Sequence, residues 1–236
     1  MTRYTLDELC RLVDHTNLHA DAREADILRL CDEARRYHFA MVAVNPVQSA
    51  LCASALAGTD VRVGAAIGFP LGQVSVAAKV FETKDALASG ASEIDYVVNL
   101  TQVKEGRWDY VADEMRQMVT TCHKAGVLCK VIFENCYLGL EEKLALCQIA
   151  REVGPDFVKT STGFGSGGAT VEDVRLMVAN VGERVKVKAA GGIRDAGSFL
   201  ALVAAGARRI GCSAGIPIME ELHRRLDASG AACLEL

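Results

Sequence analysis

No apolar run in the sequence approaches the roughly 20 residues a membrane-spanning helix needs, because polar or charged residues interrupt each one. No basic stripe is present either: 26 lysines and arginines face 30 aspartates and glutamates, for a net charge of -4. That balance excludes the charge-driven binding of a nucleic-acid backbone. The N-terminal stretch MTRYTLDELCRLVDHTNL lacks the apolar core of a signal peptide. There is no CxxC pair and no Cys/His ligand spacing, and the nine cysteines are odd in number and mostly embedded in apolar patterns. Reduced thiols in a cytoplasmic protein are therefore expected. His15 and His19 stand four apart without a third ligand nearby, so they read as loop or barrel-mouth histidines, with no metal and no cofactor expected. No linker or low-complexity stretch divides the chain, so residues 1–236 are expected to form a single catalytic domain.

What the sequence does hold is alternation. Strand-like runs at 9–15, 39–45, 61–68, 93–100, 128–134, 156–160, 185–190 and 207–213 alternate with helical patterns at 23–37, 46–57, 75–89, 107–125, 140–153, 171–181, 195–205 and 215–228. Asp195 marks a helix start, and Gly90, Gly126, Gly154 and Gly206 mark helix ends. Eight strand–helix pairs predict an α/β fold, a single (β/α)8 TIM barrel. An open doubly wound sheet uses the same alternation. The count of eight and the lack of a GxGxxG fingerprint after the first strand favour the barrel.

Active sites of such barrels lie at the C-terminal ends of the strands. Asp14, Asn45, Asp95, Glu134, Lys159 and Lys188 are read as falling there. Strand ends are commonly polar, so no single residue decides. Lys159 and Lys188 weigh more as a pair, because they close consecutive strands about 4.8 Å apart. Two ammonium groups held close in a partly dry site repel, and one is driven to give up its proton. The neutral amine can then form a Schiff base with a carbonyl substrate. On spacing alone, the alternative of two lysines snorkelling into solvent stays open.

Strand parity puts Lys130 and Glu134 on one face, and Asp95 and Lys188 on the inner face of their strands. Buried charges need partners. An ionic network linking Lys130, Glu134, Asp95 and Lys188 is expected near the mouth, with Asp14 in the supporting set and Lys186 paired to Glu93 below. Glycines complete the pattern. Gly191-Gly192 follows the seventh strand, and 211-GCSAG-215 follows the eighth and enters a helix. These are the usual phosphate-cradle positions of such barrels, where backbone N–H groups and Ser213 can meet an anion. The GFGSGG run after the sixth strand is expected to be a mobile loop on one side of the same pocket.

Five segments, DHTNL, EIDYVVN, VKTSTGFGSGGAT, VKAAGGIRD and RIGCSAG, together span almost the whole chain and resemble the deoxyribose-phosphate aldolase family. The resemblance implies a metal-independent class I aldolase that reversibly cleaves 2-deoxy-D-ribose 5-phosphate to D-glyceraldehyde 3-phosphate and acetaldehyde. It implies Lys159 as Schiff-base nucleophile, Lys188 as its cationic neighbour, and Asp95 acting with a water in proton transfer. It also implies phosphate binding at Gly191, Gly192 and Ser213, closure by the loop at Gly163, and a homodimer. The sequence departs from common family patterns at four places. Ala43 replaces a cysteine that forms adducts with aldehydes in some members. The C-terminus AACLEL lacks a terminal tyrosine, Phe164 stands where some members have lysine, and Ala214 stands where some have serine.

Overall fold

The computed structural model describes residues 2–236. A short strand β1 (Arg3–Tyr4) and helix α1 (Leu6–Cys10) precede the first barrel strand, β2 (Val13–Asn17). Helix α2 (Glu24–Arg36), β3 (Met41–Val44), α3 (Ser49–Ala55), β4 (Arg62–Ile67), α4 (Val76–Ala88) and β5 (Glu93–Val97) follow. Next come α5 (Leu100–Lys104), α6 (Trp108–Lys124), β6 (Leu128–Ile132), α7 (Leu140–Val153) and β7 (Phe157–Lys159). The chain continues through α8 (Val171–Asn180), β8 (Lys186–Ala190), α9 (Ala196–Ala204), β9 (Arg209–Cys212), α10 (Gly215–Ser229) and β10 (Leu234–Glu235). Strands β2 to β9 close into a parallel barrel in sequence order, and β1 pairs with β10 outside it. The expected TIM barrel is therefore the observed fold.

Local chemistry sets the helix boundaries. Thr5, Ser75, Asn99, Thr170 and Asp195 each accept a backbone N–H at a helix start, and Gly154 ends α7 in the left-handed region that glycine adopts without strain. The reading of 9–15 as one strand fails at this level. The Thr5–Glu8 capping box starts a helix through Cys10, and the strand begins only at Val13.

The two faces of the barrel differ sharply. Outward side chains such as Val42, Ala65, Ile94, Tyr96, Val131, Val158, Val187 and Ile210 join the helices in one continuous apolar core. Inside, Ala40, Met41 and Ala43 form a separate small cluster, and a set of charged side chains is buried alongside it. Asp14, Glu93, Asp95, Lys130, Lys159, Lys188 and Arg209 are all buried there. A buried ionic core adds little net stability over an apolar one, so its presence points to chemistry.

Candidate active site

Lys159 ends β7, and its Cα partners across the sheet are Ile132 on β6 and Lys188 on β8. Three residues read as strand ends lie within their strands: Ala189 and Ala190 continue β8 above Lys188, Asp14 sits near the start of β2, and Asp95 is central in β5. The two amines still converge: Lys159 Nζ lies 3.1 Å and Lys188 Nζ 2.6 Å from the same oxygen, Asp95 Oδ2. Asp95 Oδ1 accepts from Lys130 Nζ at 2.8 Å. Lys188 also pairs with Asp14 at 2.5 Å, and Asp14 with Arg209 at 2.5 Å. Arg209 reaches Glu93 at 2.9 Å, and Glu93 closes the ring onto Lys130.

The electrostatics of this ring single out one amine. Four basic groups, Lys130, Lys159, Lys188 and Arg209, share three carboxylates, Asp14, Glu93 and Asp95. One proton is in excess of neutrality, and a dry interior disfavours net charge. Lys159 has a single carboxylate contact, the longest of its set. Its amine is lowered to about 8, first by burial and then by the Lys188 charge, against the pull of Asp95. Lys130 moves the other way: burial opposes its charge, but Asp95, Glu93 and Asp14 outweigh it. Burial likewise opposes the Asp95 carboxylate, yet Lys130, Lys188 and Lys159 hold it well below the usual carboxylate range. A proton leaves Lys159 most readily, which leaves a nucleophile beside fixed opposite charges.

Lys159, only 4% exposed, forms the floor of a cleft of about 320 Å³ at the C-terminal end of the barrel. Gly163, Gly191, Gly192 and Ser213 line its walls, together with Thr16, His19, Thr162, Phe164, Arg194 and Cys212. Gly191 and Gly192 have φ of 87° and 77°, which turns the chain sharply after β8. A Cβ on Gly168 would fall 2.2 Å from the Gly191 carbonyl oxygen, and Ala169 N donates to that oxygen at 3.0 Å. The 163–168 loop, expected to be mobile, is fastened against the 191–192 turn.

Two expected pairings are corrected. Glu134 is not part of the ionic ring. Strand β6 ends at Ile132 and Glu134 turns left-handed at φ 58°, so strand parity no longer applies to it. It instead accepts the backbone N–H of Thr162 at 3.2 Å and the Thr162 hydroxyl, which ties the loop after β7 to the loop after β6. Lys186 is exposed, and Arg209 takes Glu93 in its place. Arg209 sits in register with Lys188 and shares its face, a neighbour relation that strand parity alone does not give. His15 points away from the cleft toward Glu33, at 2.8 Å. Arg194, within the GGIRD segment, brings a cation to the cleft rim near the glycine turn.

A family profile described as DeoC/LacD family aldolase matches residues 9–233. The chain belongs to this aldolase family. It is 59% identical to the deoxyribose-phosphate aldolase of Lactobacillus acidophilus over 99% of both chains. It is 54% identical to that of Bacteroides thetaiotaomicron, over 92% of this chain and 91% of the relative. Among solved structures, the tetrameric deoxyribose phosphate aldolase from Aeropyrum pernix superposes with a TM-score of 0.87 at 30% identity, covering 93% of this chain and 92% of that one. The aldolase barrel is thus shared across relatives that have lost most of their sequence identity.

Proposed function

We propose that the chain is a class I deoxyribose-phosphate aldolase, with Lys159 as the amine that holds the substrate. The observation that carries this reading is a buried amine, lowered to about 8, on the floor of a glycine-walled cleft. Lys159 attacks C1 of 2-deoxy-D-ribose 5-phosphate, and loss of water gives an iminium. The iminium accepts the electron pair of the C2–C3 bond as the C3 hydroxyl loses its proton. D-Glyceraldehyde 3-phosphate leaves, and an enamine stays on Lys159. Protonation at C2 and hydrolysis then release acetaldehyde and restore the amine.

The family resemblance gives Asp95 proton transfer through a water, and burial together with the Lys188 charge lowers the proton affinity of the Lys159 amine. The turn at Gly191 and Gly192, Ser213 and the start of α10 offer N–H and O–H donors to the substrate phosphate, with Arg194 adding charge. Phe164, 55% exposed at the rim, cannot supply the charge that lysine gives some members. No metal or cofactor enters this mechanism. All of residues 1–236 serve as one catalytic domain in this reading. A homodimer is supported by exposed apolar side chains at Val47, Leu71 and Phe81, and a cytoplasmic location by nine unpaired thiols. No helix among the described residues is long and apolar enough to cross a membrane. Incubation with deoxyribose 5-phosphate should yield glyceraldehyde 3-phosphate and acetaldehyde in equal amounts. Failure to produce both would overturn the assignment.

A further inference from the structure

The N-terminal end of the barrel, opposite the aldolase cleft, holds a second concavity of about 480 Å³. Its charged walls are Arg11, Arg184, Lys186, Arg208, Arg209 and Asp156. Five of the six are cationic, in a chain whose net charge is -4. The one acid is already engaged: Asp156 Oδ2 accepts from Cys129 N at 2.8 Å and lies 2.9 Å from His123 Nε2. Arg209 is committed inward to Asp14 and Glu93, and Arg11 reaches Asp60 at 3.3 Å. Among the described residues, Arg184, Lys186 and Arg208 have no ion-pair partner.

Packing holds these cations together. Lys186 Nζ and Arg209 Cζ each lie 5.9 Å from the centroid of the same Phe157 ring. Arg208 NH1 donates to the Ala207 carbonyl at 3.2 Å, and Arg184 NH2 to that of Arg151 at 3.4 Å. Like charges gathered in a concavity repel, and a multiply charged anion relieves that repulsion while satisfying free N–H donors. The cluster was invisible as a sequence stripe because its residues come from separate segments, at 11, 184–186 and 208–209.

We propose that this basal concavity binds a compact polyphosphate anion of the pyrophosphate class through Arg184, Lys186 and Arg208. Two linked phosphates offer enough oxygens for three cationic side chains gathered around one concavity. The site is separate from the aldolase cleft, so it stands or falls independently of the catalytic reading.

The test is calorimetric titration of the full chain with sodium pyrophosphate at low ionic strength, in the wild type and in a Lys186→Ser/Arg208→Ser variant. Both substituted side chains are exposed and lie outside the catalytic ring. The variant is expected to bind one equivalent fewer while keeping wild-type aldolase kcat and KM. Arg184→Ser alone, at the rim, is expected to weaken the basal equivalent about tenfold. Equal stoichiometry and affinity in all three proteins, or no binding outside the aldolase cleft in the wild type, would overturn the proposal.

Discussion

Lys159 and Lys188 point their amines at one carboxylate oxygen, Asp95 Oδ2, at 3.1 and 2.6 Å. The arrangement is asymmetric. Lys188 is also held by Asp14 at 2.5 Å, whereas Lys159 has no second carboxylate within reach among the described residues. Shared attraction to Asp95 fixes both amines in place, and their mutual repulsion falls on the less well held one.

Removing the second charge tests that asymmetry. In Lys188→Met the repulsion is gone while Asp95 still attracts, so the proton is bound more tightly at Lys159. The acid limb of kcat/KM, set by an amine lowered to about 8 in the wild type, should move to higher pH. Each unit of that rise reduces the free-amine fraction at pH 7 about tenfold. A pH–rate profile checks this, and an unmoved acid limb would show that Lys188 acts in some other way.

A second buried pair has a structural role. Lys79 on α4 lies 2.7 Å from Glu114 on α6 and 2.7 Å from the Val97 carbonyl, and Glu114 accepts from Asn99 N at 2.9 Å. Both side chains are fully buried outside the barrel, away from the cleft. Lys79→Met leaves the Glu114 carboxyl buried without its cation, which should cost about 3–5 kcal/mol. The Lys79→Met/Glu114→Leu double variant should recover much of that loss. Urea denaturation of the three proteins decides the matter, and a double variant no more stable than Lys79→Met would refute the pairing argument.

Gly168 makes a sharper probe of the turn proposed to hold the phosphate than the turn glycines themselves. Gly168→Ala drives a methyl group into the Gly191 carbonyl, a clash worth about 1–3 kcal/mol if the turn yields. KM for deoxyribose 5-phosphate should rise roughly tenfold, with kcat/KM for unphosphorylated deoxyribose changed far less. Steady-state kinetics on both sugars checks this. Equal losses on the two would place the turn outside phosphate binding.

The fold was legible because the outward residues of the barrel strands are mostly apolar and recur in short runs, and Gly154 and Asp195 punctuate the helices between them. Lys159 was legible only together with Lys188, as two cations on consecutive strands that face one site. Glu134 was misplaced because parity holds only while a strand lasts, and β6 stops two residues earlier at Ile132. Parity alone pairs Lys186 with Glu93, because it gives a residue's face but not its neighbour. Neighbours follow from the register between strands, which aligns Lys188 with Arg209 and leaves Lys186 at the exposed lower edge. Helix α1 was hidden by an apolar pattern that reads equally as strand, although Thr5 and Glu8 carried its capping signal. The basal cations carried no local signal, since only closure of the barrel brings 11, 184–186 and 208–209 together.

The central claim is that Lys159 forms the covalent bond to substrate. Treating the protein with deoxyribose 5-phosphate and sodium borohydride, followed by peptide mass spectrometry, tests it directly. The account predicts a reduced adduct on Lys159 alone, with loss of both adduct and turnover in Lys159→Ala. An adduct on Lys188, or turnover that survives Lys159→Ala, would contradict it.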